Sequence, residues 1–131
     1  RSPSRGLGDV YKRQFLDYTG AYFNEQITGE WLFALMREAV EQSPAREVHA
    51  HLSPFDGVLS PPGFAAVVLI DESHITAHCY AERGLLAIDC FTCGDTDPEQ
   101  IATHIHNGLM ERFPDLVCVR KERIKRFISE V

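Results

Sequence analysis

Residues 71 to 80 read Asp71, Glu72, Ser73, His74, Ile75, Thr76, Ala77, His78, Cys79, Tyr80, and they follow directly on the apolar run Phe64 to Ile70. Two acids, a hydroxyl, two imidazoles and a thiol in so short a stretch are the raw material of nucleophilic and acid–base chemistry. A serine nucleophile with a histidine base is one use for them, but no G-x-S-x-G elbow precedes Ser73, so a serine-hydrolase reading has little behind it. Zinc binding is another, using Cys90 and Cys93 with His104 and His106. No second C-x-x-C completes a tetrahedron, and a helix would point those two histidines to different sides. A thioredoxin-type dithiol would want the cysteine pair to open a helix, whereas Cys93 ends an apolar run and helix signals begin only at Asp97. His49, His51, His104 and His106 are read as polar or half-buried residues of the fold, and no metal is expected.

The elements around this stretch must position it. A short extended piece is expected around Tyr18 to Phe23. Thr28 then offers an N-cap for a helix whose apolar positions Leu32, Leu35, Met36, Ala39 and Val40 fall at helical spacing, and Pro44 ends it. Glu47 to Leu52 alternates with period two and predicts a strand, followed by a loop, 53 to 63, rich in proline and glycine. Phe64 to Ile70 predicts an interior strand. The chain turns through Asp71, Glu72 and Ser73 into a strand ending near Tyr80, reverses at Glu82 to Gly84, and returns from Leu85 to Thr92. A second helix has clear signals: Asp97 as cap, Pro98 in the first turn, Gln100 to complete a capping box, and Ile101, Ile105 and Leu109 as the buried stripe. A last strand follows Pro114. These elements predict an α+β two-layer sandwich, an antiparallel sheet with two helices on one face, because each amphipathic element needs a layer to bury its apolar side against.

A chain of 131 residues with 44% hydrophobic and 24% charged residues fits one ordinary globular domain, here placed at 15–131. The net charge of -6 is uneven: residues 1–14 and 120–131 each carry +3, so the body between them is at -12. Such a field repels nucleic acid and suits a cationic small molecule, although solubility alone also explains it. The longest apolar run falls far short of the roughly 20 residues that span a bilayer, so no membrane crossing is expected. Residues 1–14 are basic, rich in Gly, Ser and Pro, and lack the apolar stretch of a secretory signal. They resemble the translated adapter ends of environmental gene models and are set aside as a disordered or artefactual tail, with the true start near Phe15 or missing. Cys79, Cys90, Cys93 and Cys118 without an export signal predict free thiols and a cytoplasmic location.

The run "ESHITAH" at 72–78 followed by "AIDCFTCGD" at 87–95 resembles the signature of the small prokaryotic S-adenosylmethionine decarboxylases, pyruvoyl enzymes of spermidine biosynthesis. The resemblance is sharpest from Gly63 to Gly94 and extends more loosely over 15–123. It implies a proenzyme in which the Ser73 hydroxyl attacks the Glu72–Ser73 peptide bond, so that the serine becomes a pyruvoyl cofactor at a new N-terminus. That group would form a Schiff base with the substrate amine and act as electron sink. His78 matches the histidine that assists the elimination, Cys93 the thiol that returns a proton to the substrate, and Glu82 the acid that grips the ribose. The family's adenine-stacking phenylalanine falls on Leu59, with Phe55 and Phe64 nearby, and Tyr80 replaces a tryptophan. The family also implies a homodimer of cleaved protomers, with the site at the interface and each partner lending residues. Ser73 and His78 have opposite parity along a regular strand, a conflict that a turn at Ser73 would remove.

Ala65 stands where the family carries a serine that aids maturation, and Ala81 replaces a proline. These departures leave two alternatives: a pyruvoyl-dependent arginine or ornithine decarboxylase of the same family, or an unprocessed relative acting as a regulatory or binding subunit.

Overall fold

The computed structural model describes residues 11–23 and 26–127. Its elements run β1 (Tyr11–Thr19), α1 (Gln26–Glu41), β2 (Glu47–Phe55), β3 (Gly63–Ile70), β4 (Ser73–Tyr80), β5 (Leu85–Cys93), α2 (Pro98–Arg112) and β6 (Val117–Lys125). The strands form one antiparallel sheet in the order β2-β3-β4-β5-β1-β6. Both helices pack on the same face of it, so the α+β two-layer sandwich expected from the sequence is the architecture observed.

Period-two alternation divides the sheet into two unlike faces. Leu16, Tyr18, Val68, Ile70, Ile75, Ala77, Leu86, Ile88 and Cys90 are buried beneath the helices. Leu32, Met36 and Val40 of α1 and Ile101, Ile105 and Leu109 of α2 meet them from above. Burying each large aliphatic side chain contributes about 1.5–3 kcal/mol, so this single layer of contact is the main stabilising term. Ala65, Val67 and Leu69 of β3, with Thr76, His78 and Tyr80 of β4, alternate to the other face, where no helix covers them among the described residues.

Several boundaries differ from the sequence expectation. Strand β2 runs past Leu52 through Pro54 to Phe55, into the expected loop, because it keeps pairing with β3 as far as Gly63. The first strand occupies Tyr11–Thr19, not the region around Tyr18 to Phe23, because Gln14, Leu16 and Tyr18 alternate inward and the backbone pairs with β5 from Tyr11 onward. Residues 11–14, assigned to the tail, are thus part of the sheet, while 1–10 lie outside the described residues. Helix α1 starts at Gln26, so Thr28 is not its cap; Thr28 is buried in the same stripe as Leu32 and Met36, four and eight positions on. At α2 Asp97 is the cap, as expected, with Pro98 in the first turn; its carboxylate accepts the Glu99 backbone N–H at 2.9 Å, where the expected capping box would have paired it with Gln100.

Candidate active site

Ser73 is the first residue of β4 and lies opposite Ile70, the last of β3, so Asp71 and Glu72 alone make the turn between the strands. A two-residue hairpin needs a positive φ at a central position, and Asp71 supplies it at φ 54. Aspartate tolerates that region better than most residues. The Asp71 carboxylate accepts a hydrogen bond from Arg46 Nη2 at 2.9 Å.

The β4–β5 register, with His74 opposite Phe91, brings the start of β4 beside the end of β5. Ser73 is only 5% exposed, and its Oγ accepts the Cys93 backbone N–H at 3.1 Å while donating to Cys93 Sγ at 3.5 Å. Cys93 Sγ in turn lies 4.0 Å from Glu72 Oε2. Glu72, Ser73 and Cys93 therefore form one cluster, assembled from a turn and two strand ends. A hydroxyl held by two partners is fixed in one rotamer, directly after an exposed peptide that precedes it.

His78 is not in this cluster. Alternation along β4 is unbroken from Ser73 to Tyr80, so the expected turn at Ser73 does not occur and the parity conflict stands. Ser73 points to the buried side, while His78 is exposed on the open face, opposite Ala65 of β3 and Ala87 of β5. The physical reason is that a two-residue turn lets both flanking strands stay regular up to the turn itself. His74, on the open face, packs against Phe91 with ring centres 5.6 Å apart; burial, assisted by the charge of Arg13, pushes its imidazole below its ordinary pKa.

The expected substrate residues gather at the opposite end of β4. A groove of about 700 Å³ is lined by Phe64, Leu59, Phe55, Phe23, Pro62 and Ala81. Phe64 is buried against Gly29, whereas Leu59 is 99% exposed at the rim. Tyr80 and Glu82 are exposed where β4 turns into β5, a turn tied to the groove by the Ala81 N–H donating to the Pro62 carbonyl at 3.1 Å. The chain approaches itself so closely there that a Cβ on Gly63 would stand 1.9 Å from the Cys79 carbonyl oxygen; φ 148 at that residue suits glycine. Seven residue steps along the strand take Ser73 to Tyr80, roughly 23 Å.

Among the described residues, those of the zinc reading are not gathered into a group of three or more that could hold a metal ion. His104 bonds Glu38 at 2.9 Å and His106 the Tyr18 hydroxyl at 2.7 Å, and burial pushes the Cys90 thiol well up. Arg46 was missed by the sequence reading; an aspartate in a two-residue turn was the one local signal that could have led to it.

A hydroxyl–thiol pair at a hairpin turn, inside an antiparallel sheet with helices on one face, defines a class of two-layer sandwich with its chemistry at a strand end. The chain belongs to the S-adenosylmethionine decarboxylase family, whose model matches residues 15–116. It is 39% identical over 87 residues to the S-adenosylmethionine decarboxylase proenzyme of Brevibacillus brevis, a match covering 66% of this chain and 62% of that protein. It is 41% identical over 93 residues to proenzyme 2 of Bacillus anthracis, covering 71% and 69%. The match to the Bacillus velezensis proenzyme, 46% over 50 residues, covers 38% of this chain and 40% of that protein. The chain thus spans less than two thirds of the length of the Brevibacillus and B. velezensis relatives. In fold it is similar to the crystal structure of the adenosylmethionine decarboxylase from Aquifex aeolicus, with a TM-score of 0.65 at 23% identity over 92% of this chain and 93% of that one. No helix among the described residues is long and apolar enough to cross a membrane.

Proposed function

We propose that this chain is a proenzyme that cleaves itself between Glu72 and Ser73 and then decarboxylates S-adenosylmethionine for polyamine synthesis. The observation that carries this reading is the buried Ser73 hydroxyl, held by Cys93 immediately after a tight, exposed turn. The names of the relatives, proenzymes all, support it.

In maturation the Ser73 Oγ adds to the Glu72 carbonyl carbon, its proton passes to the Ser73 nitrogen, and the C–N bond breaks to leave an ester. Loss of the residue-73 α-proton then expels the Glu72 carboxylate from Cβ, and water releases ammonia to leave a pyruvoyl end. The residues present fit such a group: position 73 is buried, and its side-chain atom has a donor and a thiol beside it. The pyruvoyl carbonyl supplies an electron sink for the pair left when carbon dioxide departs. Cys93 holds a proton at Sγ next to position 73, ready for return to the substrate carbon. Glu82 accepts the ribose hydroxyls, and the groove at Phe64 and Leu59 receives the adenine.

One chain does not complete this site. Ser73 and Cys93 stand at one end of β4, while the groove, Tyr80 and Glu82 stand at the other, and His78 faces away from Ser73. A second copy is proposed to complete it at a shared interface, with His78 and Glu82 of one protomer serving Ser73 of the other. The open face suits that partner, since Val67, Leu69 and Tyr80 present apolar surface that no layer among the described residues covers. The groove lining, apolar and aromatic apart from Asp56 and Ser60, favours a nucleoside over the guanidinium or ammonium of arginine or ornithine.

The test is a denaturing intact-mass spectrum of the purified chain and of Ser73→Ala. Two fragments split at Glu72–Ser73, the second bearing a pyruvoyl end and both absent in the variant, are expected. A single uncleaved wild-type chain would overturn the reading and bring forward the regulatory-subunit alternative motivated by Ala65.

A further inference from the structure

Just beyond the end of the β2–β3 ladder, where Glu47 pairs with Ile70, Arg46 and Asp71 face each other across an ion pair of 2.9 Å. Arg46 is itself anchored on both sides. Before it, the Ser43 hydroxyl donates to the Val40 carbonyl at the end of α1 and accepts the Ala45 N–H, fixing the loop that leads out of the helix. After it, Glu47 receives both the Nε and the Nη2 of Arg37, at 2.8 and 3.0 Å, which ties the start of β2 back to the same helix. Asp71 is one of two non-glycine residues at positive φ among those described, and it stands one residue before Glu72, whose carbonyl Ser73 attacks.

We infer that Arg46 and Asp71 form a positioning device for self-cleavage: the ion pair tethers the hairpin turn to helix α1 and holds Asp71 in its left-handed conformation, so that the Glu72 carbonyl stays presented to the Ser73 hydroxyl. This role rests on the proenzyme reading above. Neither residue touches the reacting atoms, and both act through the turn. Because the two side chains are half to mostly exposed, water and salt screen the pair, and its effect on the cleavage rate is modest.

The experiment follows self-cleavage of freshly purified full-length precursor by intact mass for the wild type, Arg46→Gln, Asp71→Asn, the double variant and Arg46→Lys. Each neutralised variant is expected to cleave roughly two- to fivefold more slowly, the range open to an exposed ion pair. The double variant is expected to be no slower than either single one, and Arg46→Lys to keep most of the rate. Salt near 1 M, where the screening length is about 3 Å, is expected to slow the wild type to the level of the variants and leave the variants unchanged. Decarboxylation per cleaved chain should be the same for all five, which separates a role in maturation from a general loosening of the fold. Equal cleavage rates, or losses that add in the double variant, would overturn this role while leaving the proenzyme reading intact. A wild-type chain that never cleaves would overturn both.

Discussion

The two ends of strand β4 are built on opposite terms. At the Ser73 end a buried hydroxyl has two hydrogen-bond contacts, both to Cys93, and the turn beside it is pinned by Arg46. At the Tyr80 end the groove is wide, Leu59 and Tyr80 are exposed, and Glu82 stands in water. The first arrangement suits bond-making, which needs atoms held in place before reaction. The second suits recognition, where apolar surface becomes favourable only once something covers it. Their separation, roughly 23 Å along one strand, is the distance that the proposed pairing of two chains has to bridge.

Mixing two inactive chains would test that separation with the largest effect. Ser73→Ala and His78→Ala homodimers should each fail to mature, yet co-expressed chains should recover about a quarter of the wild-type sites, because random pairing in a twofold dimer leaves one good site in half the dimers. No recovery would place both residues in one chain's site and break the comparison. Truncation at either end should also differ in kind. Ile75→Ala, fully buried two residues from Ser73, should lower unfolding free energy by about 2–5 kcal/mol, whereas Leu59→Ala should leave denaturant midpoints unchanged and weaken only substrate binding. Glu82→Gln should raise KM for S-adenosylmethionine about 10- to 100-fold, the worth of a charge-assisted hydrogen bond, with self-cleavage at its normal rate. Slowed cleavage in that variant would tie the two ends together.

Much of this layout was legible in the residues. Asp97 and Pro98 announced α2 because a cap and a preset φ act locally, and the stripe Ile101, Ile105, Leu109 did the rest. The hairpins around β4 followed from alternation interrupted at Asp71–Glu72 and at Gly84. The start of β1 was not legible: Tyr11 to Gln14 is polar and short of strand formers, and what holds it is pairing with β5, some eighty residues away. Arg46 was hidden for the same reason, since its partner Asp71 is 25 positions on and meets it only through the β2–β3 register.

The family and the fold class were thus in the sequence, together with the residues proposed as reactive, because motif, periodicity and capping are short-range properties of the chain. Which of those residues share a site was decided by tertiary structure alone. Strand register sets neighbours across the sheet, and the period of two sets the face each side chain takes, so Ser73 joined Cys93 and turned away from the nearer His78.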